Sequence, residues 1–279
     1  MTIEIEKKVL DYYQHDKLSS DKIASLLTIN RKTVYKILRK NNIKSRTLSE
    51  AAMKYTCNDS FFNVINTEEK AYWLGALYAD GNVSKKASTS GQIFLTAKDK
   101  EWVEKFMRDI NSSNKPRSEY HTKFKSTIWK AQITSSQMYN DLVNLGCIPV
   151  KSHIIRIPDV SKDLIHHFIR GYFDGDGTVG IYKNLGSHDW KILKSGFCSG
   201  SQKFLEDILQ ILPTKNKNIT YKGVYVVQLS LKDSIILYNY MYQNSTVYLQ
   251  RKKDKFDTYL KDYIPRKRFN DYNRPSCEG

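Results

Sequence analysis

The stretch Ala71–Val83 reads AYWLGALYADGNV, and Phe168–Val179, FIRGYFDGDGTV, echoes it. Each is an apolar run of helical length that ends in Asp-Gly. Gly75 and Ala79 lie four residues apart and share one helix face, as do Gly171 and Gly175. Small residues at that spacing let two helix backbones approach closely, a rule borrowed from membrane helices. Asp80 and Asp176 then fall at the C-terminal tips, with Gly81 and Gly177 beyond them as natural helix stops. Helices packed side by side would bring the two carboxylates to one end. The partial negative charge of both helix C-termini adds to theirs there. A free aspartate titrates near pH ~3.9, so both are ionised at neutral pH. Such a pair favours a hard divalent cation, Mg²⁺ or Mn²⁺. One apolar helix ending in Asp-Gly is ordinary core; two copies with the same downstream pattern are not.

That pattern extends on both sides. After Asp80, Gln92–Ala97 reads as a strand, Asp99–Ile110 as an amphipathic helix with Trp102, Val103, Phe106 and Ile110 inward, Thr127–Thr134 as a strand and Ser136–Leu145 as a closing helix. The second half follows suit. Gly177–Tyr182 and 190–199 read as strands, Gln202–Leu212 as a helix, Tyr225–Leu231 as a strand and Asp233–Tyr242 as a helix. Asp80 and Asp176 are 96 residues apart, and so are the pairs Trp129/Tyr225 and Gln132/Gln228. The helix between drifts by several residues, as a loop insertion would produce. Residues 61–158 and 159–260 are therefore expected to be two copies of one α-β-β-α-β-β-α unit. Thr67 is the expected cap of the first motif helix.

The N-terminal residues form a different pattern. Ile5, Val9, Leu10 and Tyr13 give one apolar helix face, Asp21–Leu27 a second short helix, and Arg31–Lys40 a third with Asn30 as its cap. Residues 1–46 resemble helix-turn-helix modules of DNA-binding proteins. That resemblance puts the third helix in the major groove and makes Arg31, Lys32, Thr33 and Lys36 the DNA-facing residues. Residues 47–60 read as a polar, basic linker with a short helix near Leu48–Lys54, and 261–279 as a basic, tyrosine-rich tail.

Composition bounds the partners. The 279 residues carry 45 basic and 29 acidic side chains, a net charge of +16. Residues 1–58 hold 12 basic and six acidic residues, and the remaining +10 lies further along. A basic balance spread over folded segments suits a polyanion, most simply nucleic acid. Cys57, Cys147, Cys198 and Cys277 have no metal-ligand or disulfide spacing. His166 and His167 are sequence neighbours, expected not to share a helix face, and read as core-edge residues. No apolar run approaches the roughly 18 residues that span a bilayer, and the first residues lack a signal-peptide centre. A soluble intracellular protein is expected.

The nine residues Trp73–Gly81 (WLGALYADG) and Ile169–Gly177 (IRGYFDGDG) resemble the two signature motifs of LAGLIDADG homing endonucleases. Tyr78 and Arg170 depart from the usual motif at steps that do not bind metal. The resemblance implies an α+β fold: a pseudosymmetric duplication with two antiparallel DNA-binding sheets, here preceded by the small all-α module. It implies a monomer that cuts both strands of a long double-stranded DNA site. Asp80 and Asp176 would be the metal ligands, and Lys98 a basic residue that positions water and phosphate. The second half has Cys198, Ser199, Gly200 and Ser201 where a matching lysine is expected, and none until Lys203. This departure implies slower cutting of one strand. Strand residues such as Lys130, Gln132, Thr134, Gln228 and Ser230 would face the bases. Two other functions use the same scaffold: a DNA-binding transcription regulator, in which the motif acids are typically lost, and a maturase that binds intron RNA. Met1 and Gly279 do not resemble intein junctions, so a free-standing enzyme encoded in an intron or between genes is expected.

Overall fold

The computed structural model describes residues 3–16, 18–45, 55–85, 90–122, 125–149, 153–183, 191–216 and 218–263. The expected helix at Leu48–Lys54, Cys277 and nearly all of the basic tail lie outside them. The chain divides into two units, Met1–Thr56 and Cys57–Gly279.

The first unit holds three helices, α1 (Ile3–Gln14), α2 (Ser20–Leu26) and α3 (Arg31–Lys40). The apolar faces read from the sequence meet in one cluster of Val9, Tyr13, Ile23, Ala24, Val34, Ile37 and Leu38. Asn30 caps α3: its side-chain oxygen accepts from the Lys32 amide at 2.8 Å. Ser19 does the same for α2 through Lys22. The turn between α2 and α3 uses Thr28 at φ +52°, a left-handed residue that reverses the chain in few steps. Glu6 of α1 accepts from Lys40 at 3.0 Å and Asn41 at 2.9 Å, pinning the end of α3.

The second unit is built around α4 (Glu68–Asp80) and α7 (Ile165–Asp176). Ala71 to Tyr78 are all buried, as expected of a helix that is apolar all round. Thr67 caps α4 through the Lys70 amide at 3.4 Å. Two four-stranded antiparallel sheets flank the pair. One has the order β1 (Gly81–Lys85), β2 (Gly91–Ala97), β4 (Ser126–Thr134), β3 (Arg117–His121). The other has β5 (Gly177–Lys183), β6 (Lys191–Ser199), β8 (Tyr225–Leu229), β7 (Thr220–Tyr221). The remaining helices are α5 (Lys100–Asp109), α6 (Ser136–Asn144), α8 (Gln202–Ile211), α9 (Leu231–Tyr242) and α10 (Gln250–Lys261).

Register makes the duplication quantitative. Gly81 pairs with Leu95 and Gly177 with Phe197; Leu95 pairs with Ala131 and Phe197 with Val227. The first strand and the last long strand thus keep the offset of 96, while the second strand is shifted by six more residues, as is the helix after it. The insertion lies in the β5–β6 hairpin. Even a side-chain bond repeats: Asn114 donates to the Gln132 carbonyl, and Asn216 to that of Gln228.

Two expectations change. Ser230 is not a strand residue; β8 stops at Leu229 and Ser230 caps α9 through the Asp233 amide, because a short hydroxyl satisfies an orphan helix donor better than an edge position. The rings of His166 and His167 do meet, with centroids 3.8 Å apart. They lie in the first turn of α7, where no preceding turn confines them.

Candidate active site at the paired helix ends

The close approach of α4 and α7 is backbone on backbone. A Cβ at Gly75 would fall on the Phe168 carbonyl oxygen, and one at Gly171 on that of Tyr72. The small-residue faces therefore do the work read from the sequence. At the C-terminal end, a methyl group on Gly175 would fall 3.1 Å from Asp80 Oδ2. The Asp80 carboxylate lies against the backbone of the residue that precedes Asp176. Both carboxylates also act on one neighbouring thiol: burial raises the Cys198 pKa, and the negative charges of Asp176 and Asp80 push it the same way. The structure brings the two aspartates together. Asp80 is exposed and Asp176 half-buried.

The helices stop differently from the usual glycine end. Gly81 has φ −85° and Gly177 φ −78°, both extended. Glycine is required by crowding: a Cβ at Gly81 would strike the Leu77 carbonyl, and one at Gly177 the carbonyl and ring of Phe173. Each strand thus leaves its helix directly after the aspartate.

The motif departures are structural. Arg170 is fully buried. It pairs with Glu68 at 2.6 Å and donates to the Val247 and Met241 carbonyls at 2.8 and 2.6 Å. Tyr78 donates through its hydroxyl to the Leu145 carbonyl. Asp174, also buried, accepts from the Tyr72 hydroxyl and the Leu249 amide, each at 2.7 Å. Burial raises its pKa to about 6, against the pull of those bonds.

Lys98 follows β2 directly and is exposed. Its neighbour Asp99 forms an ion pair with Arg251 at 2.9 Å. By register the counterpart of Lys98 is Gly200, so the second half does lack that lysine. Another reaches the helix end from a different element. Lys252, on α10, is 4% exposed. Its Nζ donates to the carbonyls of Phe173 at 2.7 Å, Gly175 at 3.0 Å and Gly177 at 2.5 Å. Burial lowers its pKa to about 8. Sequence reading missed it because α10 carries no motif. The one available signal was a lysine three positions after an apolar Val-Tyr-Leu run, on an otherwise solvated helix. Cys198 donates its thiol to the Asp176 carbonyl at 3.1 Å.

Lys130, Gln132 and Thr134 share the outward face of β4, opposite the buried Ala131 and Ile133. The Lys130 Nζ stands 4.4 Å from the centroid of Phe94. Gln228 faces outward on β8 beside Gly196. In the first unit Arg31, Lys32 and Lys36 are exposed and Thr33 half-buried. Arg31 holds Asp21 at 3.1 Å and the Tyr35 hydroxyl at 2.8 Å.

The donor set decides which cation fits. No group of three or more His, Cys, Asp or Glu side chains gathers among the described residues. Two carboxylates and helix-end carbonyls, all oxygen, suit a hard divalent ion whose shell is completed by water and substrate phosphate. They do not suit a closed zinc site.

No protein-family model matches the chain. A curated protein from Methanocaldococcus jannaschii, a probable translation initiation factor IF-2, is 28% identical over 173 residues, 58% of this chain. The chain spans 13% of that protein's length. Similar solved structures include the homing endonuclease I-WcaI bound to its DNA recognition sequence, with 13% identity, coverage of 78% of this chain and 96% of that one, and a TM-score of 0.48. I-SmaMI bound to uncleaved DNA in the presence of calcium ions gives 12% identity, coverage of 71% and 90%, and a TM-score of 0.48. The I-LtrWI LAGLIDADG homing endonuclease bound to target DNA gives 12%, 73% and 89%, and 0.45. The likeness is to LAGLIDADG homing endonucleases. No helix among the described residues is long and apolar enough to cross a membrane.

Proposed function

We propose that this chain is a site-specific endonuclease that hydrolyses both strands of double-stranded DNA, acting as a monomer with Mg²⁺ or Mn²⁺. The observation that carries the reading is the meeting of Asp80 and Asp176 at the ends of two helices packed backbone to backbone. A bound divalent ion would lower the pKa of a water and offset charge on the scissile phosphate. Asp80 and Asp176 would hold that ion. Lys98, exposed directly after β2, would orient the phosphate and the attacking water. Lys130, Gln132, Thr134 and Gln228 lie on the bases of the major groove, where alternate strand residues present hydrogen-bonding groups on one face. Arg31, Lys32, Thr33 and Lys36 of the module at 1–46 engage a further stretch of duplex, joined through the linker at 47–60. The net charge of +16 supports a polyanionic substrate.

The test uses sites recovered by cleavage selection from a randomised plasmid library. Metal-dependent double-strand cutting is expected, and Asp80→Asn and Asp176→Asn should each abolish it while leaving binding intact. Binding without cutting under any divalent metal would replace the reading with a transcription regulator. Stimulated splicing of an intron RNA would replace it with a maturase.

A further inference from the structure

Strand register lets the outward faces of the two sheets be matched residue by residue. Directly opposed residues on neighbouring strands share a face. In the first sheet Thr96 pairs with Lys130, and Lys130 with Arg117, which makes one outward row. Carried over by the offsets of the duplication, the matching row of the second sheet is Cys198, Val226 and Thr220. Both rows lie at the aspartate end of their sheets. Gly81, next to Asp80, pairs with Leu95, and Gly177, next to Asp176, pairs with Phe197, one step from each row.

The two rows carry opposite chemistry. Thr96, Lys130 and Arg117 present a hydroxyl, an ammonium and a guanidinium, with Arg117 exposed and the other two half-buried. Among the described residues none of the three commits its side-chain polar atoms to a hydrogen bond or ion pair; the Lys130 Nζ rests over the Phe94 ring. In the second row Val226 has nothing to donate. The Cys198 thiol donates to the Asp176 carbonyl at 3.1 Å, and the Thr220 hydroxyl to the Val226 carbonyl at 3.4 Å. The neighbouring step is bare as well. Where the first sheet has Phe94 the second has Gly196, and a Cβ there would fall on the Val227 carbonyl oxygen. Further out the sheets converge. Gln132 opposes Phe94 and Gln228 opposes Gly196, and Lys194 stands where the first sheet has Gln92. Lys222 lies past the row, in the turn between β7 and β8.

Hydrogen-bonding side chains distinguish all four base pairs in the major groove, whereas an apolar side chain recognises only the thymine methyl group. We propose that the two halves read DNA unequally beside the cut. The row of Thr96, Lys130 and Arg117 specifies its base pairs through hydrogen bonds. The row of Cys198, Val226 and Thr220 leaves its base pairs free, except for contact between Val226 and a thymine methyl group. The proposal rests on the reading of the sheets as a DNA interface. Lys130 and Arg117 are donors only, so they favour bases that present paired acceptors, guanine foremost.

The experiment uses the 279-residue chain and a duplex selected for binding to it, with every base pair of the site replaced one at a time. Beside the cut, replacement on one side is expected to weaken binding by about 10-fold or more per base pair, the scale of a lost bidentate contact. On the other side it should weaken binding by less than about threefold. Lys130→Ala combined with Arg117→Ala should flatten the steep side and leave the tolerant side as it was. Val226→Lys should make the tolerant side selective. Uracil in place of thymine there removes only a methyl group and should account for the small remaining preference. Equal selectivity on the two sides would overturn the proposal, as would a steep side that survives the loss of Lys130 and Arg117. A uniform fall in affinity with a shallower salt dependence in the double variant would overturn it too, since it would make both side chains phosphate contacts. If the chain binds a duplex but cuts none, the nuclease reading falls. The same profile then still decides the proposal, at the positions that the Lys130, Arg117 and Val226 variants change. Binding to no duplex would end both.

Discussion

Leu77 and Phe173 occupy the same step of two helices, three residues before the aspartate. Each carbonyl accepts from the glycine that ends its helix. Around that shared geometry the support differs. The first half offers the Cys147 thiol at 3.7 Å, the second the Lys252 ammonium at 2.7 Å. The next motif step differs too. Tyr78 bonds outward to the Leu145 carbonyl, whereas Asp174 sits inside a net of the Tyr72 hydroxyl, the Leu249 amide and the Tyr242 hydroxyl. Backbone pseudosymmetry has survived while its props have diverged. The lesson is that the duplicated fold constrains the glycines and the carboxylates; the side chains that buttress them are replaceable one half at a time.

The comparison breaks most severely at its axis. Gly75→Val and Gly171→Val both push a side chain into a facing carbonyl, so either should cost about 4 kcal/mol or more and abolish cooperative unfolding. Denaturant melts of both variants check this, and equal damage from the two is expected because the contact is shared.

Arg170→Met and Tyr78→Phe probe the unequal props. Removing the guanidinium leaves Glu68 without its cation and strips donors from two buried carbonyls, at a cost of about 3–5 kcal/mol. Removing the Tyr78 hydroxyl leaves one carbonyl short, at about 1 kcal/mol. A chemical denaturation series ranks them, and similar values would show the two halves equally dependent on their departures from the motif.

A further effect is set by pH. Burial, followed by the nearby Arg170 charge, lowers the His167 pKa from 6.5 to about 4. A base held neutral in the folded state contributes stability above its unfolded pKa. That stability is lost as pH falls from about 6.5 to about 4, by at most roughly 3 kcal/mol. His167→Gln should shrink the fall in melting temperature across that window, measured against the parent. The first half has no histidine at the matching step, Ala71, so the sensitivity belongs to one half only.

The elements that the sequence made legible are those with strong periodicity or caps. The α3 bounds Arg31–Lys40 and the Asn30 cap were readable because apolar spacing and an amide side chain coincide there. The two motif helices were readable as a pair because each ends in Asp-Gly. Strands β3 and β7 could not be located: Arg117–His121 has only one half-buried residue, and Thr220–Tyr221 is fully exposed, so neither alternates. The candidate site was half legible. Its carboxylates announce themselves by position in a repeat. Lys252 does not, because it is chosen by the tertiary fit of α10 and sits 76 residues beyond Asp176. The reason for Gly81 and Gly177 was hidden as well, since crowding against the previous turn leaves no trace in the local sequence.

The backbone contact at Gly75 and Gly171 has one more consequence. It leaves the paired helices no slack, so any drift in one is imposed on the other. The outward strand positions, among them Gln132 and Gln228, stand clear of that joint. Exchange of residues there can proceed piecemeal, in nature or at the bench, without disturbing the rigid hinge pin on which both carboxylates are mounted.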